Sequence, residues 1–176
     1  MSDFAALAGR LITAVEDWPE PGVTFRDITP LLADHGGLVA TGQALAAAVA
    51  GAGPVDAVAG IEARGFLLAP LLAQALGAGL VPVRKAGKLP GDTVGESYAL
   101  EYGEATIEVH RDAFAPGDRV LVVDDVLATG GTLEAANRLV GRLGAEVVAN
   151  LVLIELPALG GRARLAGTTV HALLEY

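Results

Sequence analysis

Cysteine is absent from this chain of 176 residues, which excludes a disulfide framework, a thiolate metal site and a cysteine nucleophile. Positive charge is scarce: twelve Lys+Arg stand against twenty-one Asp+Glu, for a formal charge of -9. That balance argues against a basic nucleic-acid footprint and against attraction to an anionic membrane. Strongly apolar runs are also few. Mean hydropathy is +0.49, and residues 36–55 and 66–83 carry no charge. The first run, however, is rich in weakly hydrophobic Ala and Gly, and Pro70, Gln74 and Pro82 interrupt the second. The N-terminal segment, with Asp3, Glu16 and Asp17, has neither a basic start nor a cleavable apolar core. A cytoplasmic protein with no nucleic-acid or membrane partner is expected. Repeats, charge blocks and Pro/Ser linkers are missing too, so residues 1–176 read as a single domain.

What is present is an alternation of helical and strand-like patterns. Phe4, Leu7, Leu11 and Val15 recur at helical spacing, and the Trp18–Gly22 segment, with two prolines, ends that helix. A second helix is expected around 38–50. Asp56–Ile61 and Leu80–Arg84 read as strands separated by a helix over Phe66–Leu76. The branched apolar run at Arg119–Asp125 suits a strand buried on both faces, as in a parallel sheet covered by helices. A helix over Thr132–Leu143 and strands over Glu146–Leu156 and Thr169–Leu174 follow. The order predicts an α/β fold, an open, mainly parallel twisted sheet flanked by helices, with ligands beyond the carboxyl ends of its strands. Between Lys85 and Tyr102, Gly87, Pro90, Gly91 and Gly95 predict a long flexible lid loop.

Chemistry concentrates in VVDDVLATGGT, Val122–Thr132. A buried strand ends in two acids and passes through a Thr-Gly-Gly-Thr bend into a helix. Glycines let backbone N–H groups converge on an anion, and the helix start adds partial positive charge. The lysine spacing of a nucleotide-triphosphate P-loop is missing. Asp124 and Asp125 would repel a phosphate at close range but suit vicinal hydroxyls or Mg²⁺ on the same ligand. Together they describe a ribose 5-phosphate pocket; an ordinary glycine turn beside solvated acids is the alternative. Both lysines of the chain, Lys85 and Lys88, lie in Arg84-Lys85-Ala86-Gly87-Lys88. They offer local compensation for a polyanionic substrate that the net charge would repel, or form a solvated loop. Glu62-Ala63-Arg64-Gly65, between a strand and a helix, could hold a second phosphate group. His35, His110 and His171 are far apart and lack metal-ligand spacing, and Trp18 beside two prolines is a packing anchor.

Val122–Thr132 resembles the phosphoribosyl-diphosphate signature of the type I phosphoribosyltransferases. Residues 21–30 (PGVTFRDITP), 63–66 (ARGF), 84–90 (RKAGKLP) and 98–103 (YALEYG) resemble, in the same order, segments of the adenine-using branch of that family. The resemblance implies a small N-terminal hood and transfer of the 5-phosphoribosyl group from phosphoribosyl diphosphate to adenine. AMP and pyrophosphate would be the products, with Mg²⁺ as cofactor and a homodimer as the assembly, in purine salvage. By the same resemblance Ala128, Thr129, Gly130, Gly131 and Thr132 hold the 5-phosphate, and Asp124 and Asp125 face the ribose hydroxyls. Arg64, Gly65, Arg84, Lys85 and Lys88 serve the pyrophosphate, and Phe25 and Arg26 form the base pocket. Glu101 is the expected proton-transfer residue, and Tyr102 packs on the substrate or closes the lid. Mg²⁺ is expected to be held mainly through the substrate, near Asp124 and Asp125. Another purine base, or a non-catalytic sensor of phosphoribosyl diphosphate, are the competing readings.

Overall fold

The structure is a computed structural model and describes residues 2–99 and 103–176. It divides into two compact units, residues 1–44 and residues 45–176.

The first unit holds helix α1 (Ser2–Leu11), strands β1 (Thr13–Val15) and β2 (Phe25–Asp27), helix α2 (Thr29–Ala33) and the start of helix α3 (His35–Ala48). Val15, expected at the end of the first helix, instead lies opposite Phe25 in an antiparallel pair. The Trp18–Gly22 segment explains the difference. The Asp17 carboxylate accepts the Gly22 N–H at 2.7 Å, and Trp18 N–H donates to Val23 O at 3.1 Å. The breakers therefore close a hairpin, and the chain before them is drawn into strand pairing rather than a last helical turn. The Trp18 ring meets Phe25 edge-on with centroids 4.4 Å apart, so it packs as expected although half of it remains exposed. Asp27 then accepts the Thr29 N–H at 2.9 Å and its hydroxyl at 2.6 Å, forming the turn into α2.

The second unit is built on a seven-stranded sheet among the described residues. Its strands are β3 (Ala57–Ile61), β4 (Gly79–Lys85), β5 (Thr93–Ala99), β6 (Glu104–His110), β7 (Arg119–Leu127), β8 (Glu146–Glu155) and β9 (Val170–Glu175), in the order β5-β6-β4-β3-β7-β8-β9. β4, β3, β7, β8 and β9 are parallel; at one edge β6 pairs antiparallel with β4, and β5 antiparallel with β6. Helix α4 (Gly65–Leu76) joins β3 to β4, and α5 (Gly131–Arg142) joins β7 to β8. Val120 and Val122 belong to the same buried cluster as Leu133, Ala136 and Leu139 of α5. Gly60 faces the other way, where a Cβ would lie 2.7 Å from Ala69 of α4. Alternate residues thus pack on opposite helices, which is why the central strands are apolar on both faces.

The region expected as a long lid loop contains β5. Val94, Glu96 and Tyr98 turn inward along it while Gly95, Ser97 and Ala99 are exposed, and the whole strand pairs with β6. Glu96 anchors it: Arg138 Nε donates to this carboxylate at 2.7 Å and Arg142 at 2.9 Å, both from α5. No helix among the described residues is long and apolar enough to cross a membrane.

Candidate active site

β3 and β7 lie side by side, with Ala57 opposite Val120 and Gly60 opposite Val123. The chain leaves β3 for α4 and β4 on one side, and leaves β7 for α5 and β8 on the other. Loops that part in this way open a crevice at the carboxyl edge of the sheet. A cavity of about 350 Å³ lies there, lined by residues 62–64, Lys85, Tyr98 and residues 124–133.

One wall is uncharged. β7 ends at Leu127, and Ala128 and Thr129 lead to Gly130, whose φ of +82° lies in the left-handed region that a side chain would oppose. Helix α5 starts at the next residue. Its first intrahelical bond runs from Glu134 N–H to Gly130 O at 2.9 Å, so the amides of Gly131, Thr132 and Leu133 precede the ladder and line the cavity. N–H groups left outside the helical ladder, together with the helix dipole, suit this bend to an anion.

At the end of β7 lie the two acids. Asp125 is 5% exposed and its N–H donates to Asp124 Oδ1 at 2.9 Å. Arg64 Nε, from the loop after β3, donates to Asp125 Oδ2 at 2.5 Å. Burial, reinforced by the Asp125 carboxylate, pushes the Asp124 carboxyl well above the usual carboxylate range. Gly65 allows this closeness, since a Cβ there would lie 2.7 Å from Val123 O and 3.2 Å from Asp124 Oδ1.

The wall built after β3 is charged. The Glu62–Ala63 peptide is cis. Glu62 accepts the Lys85 N–H at 3.0 Å and Arg84 Nε at 3.2 Å. Burial alone would raise this carboxyl; the Lys85 amide and the Arg84 guanidinium outweigh it and hold Glu62 below the usual range. Arg84 also donates to Lys88 O at 3.0 Å, so it ties two loops together and does not line the cavity, whereas Lys85 does. The Lys88 N–H donates to the buried Glu108 at 3.2 Å, and the residue lies outside the cavity lining.

Of the residues expected at the site, the structure gathers Arg64, Lys85, Asp124, Asp125, Ala128, Thr129, Gly130, Gly131 and Thr132 around one cavity. Gly65 lies against Val123 and Asp124, while Arg84 and Lys88, joined through the Lys88 carbonyl, fall outside the lining. Phe25 and Arg26 are half-buried in β2, within the first unit. Glu101 and Tyr102 lie outside the described residues. Sequence reasoning left Glu62 and Tyr98 without a role, although both line the cavity. Both stood inside quoted segments, Glu62 at a strand end beside Arg64, and that position was the available signal.

Chemically, the arrangement offers a helix start at residues 130–133, two carboxyl groups at Asp124 and Asp125, and cations at Arg64 and Lys85 around one cavity. Residues 32–165 match the model of the phosphoribosyl transferase domain, and the chain belongs to that family. It is 61% identical to the adenine phosphoribosyltransferase of Clavibacter sepedonicus over 168 residues, covering 96% of this chain and 86% of that relative. The fold matches the crystal structure of adenine phosphoribosyltransferase from Rhodothermus marinus with a TM-score of 0.94 and 50% identity, covering 100% of both chains. It also matches the Saccharomyces cerevisiae enzyme, complexed with an imino-altritol bisphosphate and adenine, with a TM-score of 0.95 and 36% identity over 99% of this chain and 100% of that one.

Proposed function

We propose that this chain transfers the 5-phosphoribosyl group of phosphoribosyl diphosphate to N9 of adenine, giving AMP and pyrophosphate in purine salvage. The observation that carries the reading is a single cavity in which an uncharged helix start, a carboxylate pair and a cationic wall stand together. Those three features match, in chemistry, the 5-phosphate, the ribose diol and the pyrophosphate of one donor molecule.

Each residue then has a defined task. The amides of residues 129–132 bind the 5-phosphate through fixed dipoles that need no reorganisation when the ligand arrives. Asp124 and Asp125 accept hydrogen bonds from the ribose hydroxyls and orient the ring, with Arg64 holding Asp125 in place. Breaking the C1–O bond leaves positive charge on the ribose and negative charge on the departing pyrophosphate. Arg64 and Lys85 stabilise the negative charge, with Arg84 and Lys88 supporting that wall. Phe25 and Arg26 are assigned to the base on the resemblance of residues 21–30, and Glu101 to moving the N9 proton, a role worth roughly 10²–10⁴-fold when well positioned. Tyr102 would pack on the substrate or close the lid, and a closed lid would exclude water that could otherwise capture the ribose.

No cluster of three or more His, Cys, Asp or Glu among the described residues could cage a metal ion. Asp124 and Asp125 nonetheless supply the hard oxygen donors that suit Mg²⁺ shared with substrate phosphates. When bound there, Mg²⁺ would offset charge on the leaving pyrophosphate. The family resemblance also supports a cytoplasmic homodimer.

The test is an assay of base-dependent pyrophosphate release with phosphoribosyl diphosphate and Mg²⁺, run side by side on adenine, hypoxanthine, guanine and xanthine. AMP formation from adenine, well ahead of the other bases, is expected. Equal or better use of another base would overturn the adenine assignment, and no base-dependent release would favour a sensor.

A further inference from the structure

Leu127 and Glu155 are neighbours across β7 and β8, and beyond them both strands turn out of the sheet. β7 runs into the bend at residues 128–130. β8 runs into two short 3-10 turns, Pro157–Leu159 and Gly161–Leu165. The two segments meet backbone against backbone. A Cβ on Gly161 would lie 2.2 Å from Ala128 O and 2.8 Å from both Gly130 N and Leu127 Cδ1, and a Cβ on Gly130 would lie 2.5 Å from Gly161 O. Main-chain atoms cannot yield as a flexible side chain can, so no residue larger than glycine fits at 161 without displacing the bend.

The turn carrying Gly161 is itself fixed. Glu155 is 4% exposed and receives Arg162 through a two-pronged contact, Nε to Oε1 at 3.0 Å and a second guanidinium nitrogen to Oε2. Arg162 also donates to Val170 O at 3.0 Å, and Leu156 N–H to Leu127 O at 2.9 Å. A planar fork on a buried carboxylate sets direction as well as distance. Neither member of the pair lines the cavity.

We propose that Gly161, held by the Glu155–Arg162 pair, is a positioning residue that sets the direction of the backbone N–H groups in the bend at residues 128–131. Its contact blocks the bend from retreating out of the cavity, and the left-handed Gly130 is fixed between Gly161 and the first turn of α5. The inference rests on the reading of that bend as the seat of the donor's 5-phosphate. It gives the segment between β8 and β9 a part in binding one end of the donor and none in binding the other.

Calorimetric titration of the whole protein with ribose 5-phosphate, and separately with magnesium pyrophosphate, tests it in wild type, Gly161→Ala and Arg162→Lys. Gly161→Ala is expected to weaken ribose 5-phosphate about tenfold or more, the scale of losing one amide hydrogen bond to a charged phosphate. KM for the donor should rise with it, while pyrophosphate affinity stays within about twofold. Arg162→Lys keeps the charge and loses the fork, so a shift of the same kind but about threefold is expected. A merely structural role would lower the melting temperature and move the two affinities together or not at all. Unchanged ribose 5-phosphate affinity in folded Gly161→Ala, or equal weakening of both ligands, overturns the proposal. Should Gly161→Ala fail to melt cooperatively, Arg162→Lys decides by the same comparison. Loss of folding in both variants also overturns it, since the segment would then serve the fold alone. Amide resonances of residues 129–132 in the wild type report on the underlying reading: no shift with ribose 5-phosphate would remove the phosphate seat itself, whatever the variants do.

Discussion

Residues 128–132 contain no charged side chain, whereas the wall after β3 presents Glu62, Arg64 and Lys85 and is backed by Arg84. Both are assigned an anion, and they handle it differently. The bend uses amide dipoles held by backbone packing, so little has to move when a phosphate binds. In the other wall Arg64 is committed to Asp125 and, behind it, Arg84 to Glu62, with Lys85 beside them on the cavity face. A cation so paired is screened until its partner is drawn elsewhere. On that assignment the first wall would recognise the part of the donor that stays, and the second would meet the part that leaves.

The sharpest separation of the two walls is expected from Arg64→Ala and Asp125→Asn. Arg64→Ala should lower kcat/KM for the donor by about 10²-fold, the scale for removing one donor to developing negative charge, and should chiefly weaken pyrophosphate. Asp125→Asn should lower turnover at least about tenfold but chiefly weaken ribose 5-phosphate, because it exchanges the carboxylate facing the ribose hydroxyls, which is also the partner of Arg64, for a neutral amide with a single acceptor oxygen, while the Arg64 charge itself remains. Steady-state kinetics with separate product-inhibition constants distinguishes them, and the same loss pattern in both would erase the division of labour. A smaller contrast is expected from salt. Raising ionic strength from about 0.05 M to about 0.5 M should weaken pyrophosphate several-fold more than ribose 5-phosphate, since exposed side-chain charges are screened more than close amide contacts. Parallel salt slopes for the two ligands would count against it.

The smallest effect concerns stability. The Asp124 carboxyl is raised in the folded chain, so ionising it costs more there than in the unfolded chain. The folded state binds more protons in the interval between the two values, and stability falls as pH rises through that interval. Asp124→Asn should therefore melt a few degrees higher than wild type near neutral pH, with the gain shrinking toward pH about 4, where both side chains are neutral. Turnover should fall in the same variant. A melting difference that does not change with pH would contradict this account of Asp124.

Sequence patterning made some of these features legible and concealed others for local reasons. The strand read as Arg119–Asp125 was legible because its branched residues are buried on both faces, although it runs on to Leu127, and the bend because its glycines stand between a strand and a helix. β5 was concealed: its inward face carries Glu96, whose charge is compensated by Arg138 and Arg142 more than forty positions away, at separations of 42 and 46. Alternation with an acid on the inner face does not look like a strand until those partners are known. Val15 fits helical spacing from Leu11, yet strand pairing with Phe25 overrides it. Arg84 carried the right charge in the right segment, but its engagement by Glu62 and Lys88 O is a matter of tertiary contact. Gly161 drew no notice, because a glycine required for close backbone approach looks the same in sequence as one in any turn.

A crystal structure of the protein with AMP bound puts the assignment of the cavity to the proof. The phosphate should rest on the amides of residues 129–132, with the ribose hydroxyls on Asp124 and Asp125. AMP bound elsewhere, with the bend empty, would contradict it.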